Sequence, residues 1–196
     1  VRNDGTSGRR ISVIYLDNAG NYIAGSKDDC LLAPNATCSP TPPANFQGSA
    51  IVDGSEDLSV VVESIYDSGG RYLAAAYPGE TAPATTVYVP FFLKKWPTLN
   101  SNWRQTSELL IQNTGSQSAV VTVTIYDSWD SDSGSASQSY TIPAGGRQSV
   151  PATHFSQNWD YGGFRAAARV STTSGQPLAV VVNTLTGLAD GNGVIT

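Results

Sequence analysis

The chain has 196 residues, of which 40% are hydrophobic and 14% are charged, and its formal net charge is −5. No basic stripe is present, so the phosphate neutralisation that nucleic-acid binding depends on is missing, and we expect no nucleic-acid partner. No apolar run approaches the roughly 18 residues that a membrane-spanning helix needs, so we expect no membrane insertion.

The composition favours strands. The chain contains 19 Gly and 11 Pro together with abundant Ser, Thr, Val and Tyr, a mixture typical of pleated strands separated by tight turns. No segment shows sustained helical spacing of apolar residues. Several short strands per hundred residues, with turn residues between them, predict an all-β protein built of β-sandwiches.

In the first part of the chain, an acidic loop at residues 26–29 is expected between two short strands. The proline-rich segment 39–44 cannot form a central strand, because proline donates no ladder hydrogen bond, and it is expected to cross over the sandwich. Strands are predicted at residues 9–17, 22–24, 31–32, 46–53, 58–66 and 71–77.

Residues 78–86 contain prolines and few large apolar groups, so we place a domain boundary there. The predicted domains are residues 1–80 and 81–196. The valine runs of the core strands are typical of strands buried between two sheets. In the second domain, strands are predicted at residues 87–94, 108–113, 119–127, 137–142, 147–150, 165–172 and 178–185.

The chain contains an internal repeat. An offset of 110 residues places Asn3 on Asn113 and residues 9–17 on 119–127, and offsets of 118 to 120 align the later strands. A period of this length is far above the roughly 20–50 residues of solenoid repeats and indicates two whole domains in tandem.

The alignment also predicts an incomplete first domain. Val1 corresponds to Ile111, so the given sequence has no counterpart of residues 87–110 in its first domain. A sandwich without these strands would expose ladder groups and an apolar groove. Either residues preceding Val1 fill this groove, or a strand from another subunit does. The tail at residues 187–196 is a candidate donor, although residues 190–193 equally suit a hairpin turn.

The two cysteines, Cys30 and Cys38, are separated by eight positions. A metal site would need further Cys or His ligands nearby, and the sequence has none there. We therefore expect a disulfide that staples a hairpin and indicates an oxidising compartment.

Catalytic and metal-binding signals are weak. His154 is the only histidine and lies in a predicted loop, and the acidic residues cluster in loops rather than in a paired arrangement. We expect no enzyme activity and no cofactor. The loop that contains Asp127, Asp130 and Asp132 has the oxygen density of a calcium loop but lacks the bidentate Glu of an EF-hand, so it suits a weak calcium site or a solvated loop.

Several aromatic residues fall in predicted loops. They could stack on sugar rings or dock a partner chain, or they could cap the sandwich and pack the domains. The candidates are Trp96, Trp103, Trp129, Trp159 and Tyr161. Asn35 begins an Asn-Ala-Thr sequence that matches the N-glycosylation pattern.

Residues 87–185 contain a set of short motifs. They are Val-Pro-Phe-Phe-Leu-Lys at 89–94, Leu-Ile-Gln-Asn-Thr-Gly at 110–115, a Pro-Ala-Gly-Gly turn at 143–146 and Gly-Gln-Pro-Leu-Ala-Val-Val-Val-Asn at 175–183. Together they resemble secreted bacterial surface proteins built of tandem immunoglobulin-like repeats. The resemblance implies two tandem immunoglobulin-like β-sandwich domains, a cell-surface location and an adhesive or filament-forming role.

The leading hypothesis is therefore a structural subunit of an extracellular filament or surface layer that self-associates with identical subunits. The alternative is a carbohydrate-binding or adhesin module that uses Trp129, Trp159 and Tyr161 to contact glycans. A third hypothesis is a non-catalytic fragment of a large secreted enzyme.

Overall fold

The computed structural model describes residues 1–54, 58–67, 72–79, 82–97, 103–127, 134–159, 162–188 and 193–195. The secondary structure of these residues consists of strands and one 3₁₀ turn, Ala152–His154, so the all-β prediction is confirmed. The described residues contain no helix that is long and apolar enough to cross a membrane.

The chain divides into two compact units. The first unit comprises Val1–Thr81 and Gly145–Arg147, and the second comprises Ala82–Ala144 and Gln148–Thr196. The strands of the first unit are β1 (Arg2–Asn3), β2 (Arg9–Asp17), β3 (Tyr22–Leu32), β4 (Gly48–Asp53), β5 (Leu58–Ser59), β6 (Val61–Asp67) and β7 (Tyr72–Pro78).

Among its described residues the second unit carries nine further strands; the first residue of β13, Arg147, is grouped with the first unit. They are β8 (Thr86–Lys94), β9 (Trp96–Pro97), β10 (Trp103–Asn113), β11 (Ala119–Asp127), β12 (Ser135–Ile142), β13 (Arg147–Pro151), β14 (Phe164–Thr172), β15 (Leu178–Leu188) and β16 (Gly193–Ile195).

The second unit is a two-sheet sandwich. One sheet has the order β12-β11-β14-β8, and the other has the order β13-β10-β15-β16 with β9 also paired to β10. Alternate residues of β11 are buried, as expected for a strand with one face on a core. The core contains residues from both sheets, including Phe92, Ile111, Val123 and Leu178, all of them fully buried.

The described residues of the first unit form three smaller sheets. Their orders are β3-β2-β4, β1-β5 and β6-β7, all antiparallel. The described buried apolar side chains of this unit come mainly from the inward face of β2, where Ile11, Val13 and Tyr15 alternate with exposed or half-exposed residues. The predicted strand over 9–17 therefore has the expected bounds and face.

The strand pairing follows the internal repeat. Ile11 lies opposite Cys30, and the residues 110 positions later, Val121 and Tyr140, also lie opposite each other. The pairs that involve later strands recur at the offsets of 118 to 120 residues. The corresponding pairs are Val13–Val52 with Val123–Val170, and Asn3–Leu58 with Asn113–Leu178.

A buried asparagine organises the same turn in both units. In the second unit, Nδ2 of Asn113 donates to the carbonyl oxygens of Gln117 (2.7 Å), Ile142 (3.0 Å) and Pro143 (3.0 Å), and its Oδ1 accepts the N–H of Gly115 (3.0 Å). Asn3 repeats the arrangement. Its side chain donates to Ser7 and Leu32 at 2.9 and 3.1 Å and accepts from Gly5 at 3.0 Å.

The prediction of an acidic loop at 26–29 was wrong, because β3 runs without interruption from Tyr22 to Leu32. Asp29 is held from β2, where it accepts hydrogen bonds from Arg10 (2.8 Å) and from Ser12 (2.5 Å). Aspartate is depleted in strands, but these two partners, more than 15 residues away in sequence, stabilise Asp29 within β3.

Candidate functional site

The candidate site is a strand edge in the first unit that is unpaired within the described residues. It is best understood by comparison with the corresponding strand of the second unit. There β14 lies between β11 and β8. Two inward-facing residues of β14, Ala168 and Val170, are 2% and 0% exposed. Their burial shows that β8 and the opposing sheet cover this part of the core.

In the first unit, the strand that corresponds to β14 is β4. It pairs with β2, and no strand of the described residues lies on its other side. Ala50 and Val52 occupy the positions of Ala168 and Val170, yet Ala50 is exposed and Val52 is half exposed. The inward face of β4 is therefore uncovered at its outer edge.

The second layer of the first unit is also short. Its β1 and β5 form two residue pairs, whereas β10 and β15 pair over eleven residues. Leu58 of β5 is half buried, while its counterpart Leu178 is fully buried. We call the uncovered edge of β4, together with Ala50 and Val52, the open edge of the first unit.

An open edge of this kind presents backbone N–H and C=O groups that can bind a further strand. The second unit shows which sequence suits the position, because β8 directs Val89 and Phe92 into the core and Tyr88 towards solvent. A strand with the same alternation would cover Ala50 and Val52.

Tyr15 of β2 lies opposite Ala50 of the open edge, on the inward face of the sheet. Its hydroxyl donates to Asp28 (3.2 Å), and its ring contacts Phe46 edge-on with centroids 5.3 Å apart. Burial raises the pKa of Tyr15 to about 12, and the hydrogen bond to Asp28 and the charge of Asp28 add to this effect. Tyr15 and Asp28 line a cleft of about 220 Å³ together with Ile23, Ala24, Gly25, Ser26, Thr41 and Pro43.

The titratable side chains of Lys94 and His154, both in the second unit, make structural contacts. Nζ of Lys94 donates to the carbonyl oxygens of Phe155 (2.6 Å) and Gln157 (3.0 Å), and burial, with a smaller contribution from the charge of Lys95, lowers the pKa of the Lys94 amine. His154 is exposed, stacks on Tyr140 and contacts the Tyr140 hydroxyl at 3.2 Å. Neither group is paired with a nucleophile or a carboxylate in these contacts.

The weak calcium candidate is only partly within the described residues. The backbone N–H of Asp127 donates to the carbonyl oxygen of Gly134 at 3.0 Å, while Asp130 and Asp132 lie outside them. The described part of the chain contains no group of three His, Cys, Asp or Glu side chains that could hold a metal ion.

The aromatic candidates are dispersed. The ring of Trp159 packs on Phe164 with centroids 5.7 Å apart and adjoins the core. The guanidinium of Arg165 lies over the ring of half-buried Trp96, 5.2 Å from its centroid. Trp103 lies in β10 but its side chain is not among those described, and Trp129 and Tyr161 lie outside the described residues.

The disulfide between Cys30 and Cys38 is present, as predicted. Cys30 belongs to β3, while Cys38 follows Thr37, which forms a bridge with Arg2 of β1. The disulfide therefore joins the β3-β2-β4 sheet to the layer that contains β1.

Asn35 lies in an exposed turn, as the glycosylation motif requires. Its φ is 61°, and the corresponding position of the second unit is occupied by Gly145 with a φ of 69°. Asparagine tolerates this left-handed conformation better than most residues. Its Oδ1 accepts a hydrogen bond from Arg2 at 3.1 Å.

Sequence reasoning did not identify three exposed aromatic residues on strands of the second unit, Tyr88, Phe91 and Tyr126. Alternation in β8 and β11 could have placed Tyr88 and Tyr126 on an outward face. Phe91 depends on a bulge near Pro90, which the sequence pattern does not show.

No family model, curated protein or solved structure matches this chain.

Proposed function

We propose that the protein is a non-catalytic structural subunit of an extracellular filament or surface layer, and that a strand of a neighbouring copy completes its first unit. The observation that supports this most strongly is the exposure of Ala50 and Val52, whose counterparts in the second unit are buried.

Further observations agree with the proposal. In the second unit β8 pairs with β14, the counterpart of β4, which supports the proposal that a strand with a similar sequence pairs with β4. A contact between two different surfaces gives a closed ring or, when its rotation does not close, an open fibre, and the second outcome fits a filament subunit. The disulfide suits an oxidising environment, and the motifs at 89–94 and 175–183 resemble those of surface proteins with immunoglobulin-like repeats.

The test compares two lysine substitutions at opposite edges of the same sheet. Ile51 is exposed on β4, at the open edge, and Leu31 is exposed on β3, at the other edge. A lysine on an edge strand discourages strand addition because its charge would be buried against the incoming strand. Ile51→Lys is the test variant, and Leu31→Lys is the matched control.

Sedimentation velocity over a range of concentrations and negative-stain electron microscopy provide the measurement. We expect the parent chain and Leu31→Lys to assemble and Ile51→Lys to remain monomeric, with unchanged far-ultraviolet circular dichroism in all three. A parent chain that stays monomeric at every concentration would refute assembly. Equal association of the two variants would refute the open edge as the contact.

A further inference from the structure

The outward face of the β12-β11-β14-β8 sheet has an unusual charge distribution. Its outward-facing charged residues, within the described range, are exposed Arg169 and half-buried Arg165, whose guanidinium also lies over Trp96. The whole chain carries a net charge of −5. This face is therefore a local positive surface on an acidic protein.

Three aromatic side chains share the face with the arginines. Tyr88 is 75% exposed, Phe91 is 62% exposed and Tyr126 is 41% exposed. Isolated exposed apolar residues are common, but a group of large rings on one sheet face indicates a binding surface.

The strand register fixes the spacing of the rings. Tyr126 lies opposite Ala167 of β14, and Phe91 lies on the far side of Ala167, in the bulge of β8. The two rings are therefore separated by two strand spacings, about 10 Å. Tyr88 is three residues from Phe91 along β8 and lies opposite Arg169, so a ring and a guanidinium are neighbours.

The remainder of the face is rich in hydroxyl groups. Thr122 and Thr124 of β11 contact Ser139 and Ser137 of β12 through their hydroxyl oxygens at 3.0 and 2.8 Å. Between the rings stands the small side chain of Ala167. A ligand that spans from Tyr126 to Phe91 would pass over Ala167 and meet no larger side chain between the two rings.

We propose that this surface, the arginine–aromatic face (Tyr88, Phe91, Tyr126, Arg165 and Arg169), binds an acidic polysaccharide. Pyranose rings present apolar faces that stack on aromatic side chains, and their hydroxyl groups can bond to serine and threonine. Carboxylate or sulfate groups on the sugars match the planar donors of arginine. This inference is independent of the assembly through β4, because it concerns residues of the second unit.

The test uses affinity gel electrophoresis and titration calorimetry of the full chain with polygalacturonate, and with dextran as a neutral polysaccharide. Arg169→Ala is matched by Arg10→Ala, which removes the same charge from an exposed position of the first unit. Tyr88→Ala is matched by Tyr22→Ala, which removes an exposed ring elsewhere.

We expect retardation by polygalacturonate and none by dextran. Arg169→Ala and Tyr88→Ala should each weaken binding about tenfold, a factor that corresponds to ~1.4 kcal/mol, whereas Arg10→Ala and Tyr22→Ala should bind like the parent. Raising the salt concentration should weaken binding through screening of the arginines.

The proposal fails if polygalacturonate does not bind, or if all four variants bind equally. Binding that depends on Arg169 and Arg10 alike would show nonspecific attraction of a polyanion. Retention of a second protein on the same face, with no polysaccharide binding, would assign the surface to a protein partner and overturn the proposal.

Discussion

Replacement of Asn113 by alanine should destabilise the second unit selectively. The Asn113 side chain is fully buried and makes four hydrogen bonds to the turn that follows β10 and to the end of β12. Alanine cannot make any of them. The carbonyl oxygen of Ile142, which the Asn113 amide reaches in a buried contact, would lose this donor.

The magnitude follows from these contacts. A buried polar group that loses its partner costs about 1–3 kcal/mol, and each further hydrogen bond contributes roughly 0.5–1.5 kcal/mol net. Some of the partners are partly exposed and can turn to water, so we expect a loss of ~3 kcal/mol in the free energy of unfolding. With a urea m-value of about 2 kcal/mol/M, the midpoint should fall by roughly 1.5 M.

Tryptophan fluorescence isolates this effect. All 4 Trp residues of the chain lie in the second unit, so urea unfolding followed by fluorescence reports on that unit. Asn3→Ala is the matched control, because Asn3 makes the same kind of contacts in the first unit. It should shift the transition seen by circular dichroism and leave the fluorescence midpoint unchanged. A fluorescence midpoint that moves by less than about 0.3 M in Asn113→Ala would refute the structural role of this side chain.

Three other predictions concern the first unit. Removing the disulfide by Cys30→Ser with Cys38→Ser should lower the free energy of unfolding by ~2.5 kcal/mol, as expected for so short a loop. Urea unfolding followed by circular dichroism measures this loss. The prediction is wrong if only the fluorescence transition moves. The folded state favours the protonated hydroxyl of Tyr15, which raises its pKa to about 12. Tyr15 therefore contributes its full stability at pH values below its ordinary pKa of 10.0, and this contribution is lost as the pH rises through about 12. Tyr15→Phe should unfold at a higher pH than the parent, and an unchanged alkaline midpoint would count against the prediction. The Ser12 hydroxyl, with contributions from neighbouring cations, lowers the pKa of Asp29 to about 2, so Ser12→Ala should return the carboxyl titration, followed by NMR, towards 3.8, unless the cations suffice without it.

Local pattern was enough to predict most strands. The β11 segment alternates apolar and polar residues, and its predicted bounds, 119–127, agree with the structure. The repeat offsets also anticipated the register, since the pairs of β2–β3 recur in β11–β12. Periodicity and self-alignment are properties of the chain alone, so they need no tertiary information.

Features that depend on distant partners were not predictable. The extension of β3 through the acidic residues depends on contacts of Asp29 with β2, and the exposure of Phe91 depends on a bulge against β14. The open edge was anticipated only because the second unit supplied a complete template. The outward face with Arg169 was missed because its strands are far apart in sequence.

The central claim is that β4 is an edge on which a neighbouring copy adds a strand. Amide hydrogen exchange of the full chain, measured by mass spectrometry in dilute solution and in the assembled state, tests it most directly. In dilute solution, peptides covering Gly48–Asp53 should exchange much faster than those covering the counterpart strand Phe164–Thr172. In the assembly, Gly48–Asp53 should become protected to a similar degree, while Phe164–Thr172 remains unchanged. Assemblies in which Gly48–Asp53 still exchanges rapidly, or a dilute monomer in which it is already protected, would contradict the account.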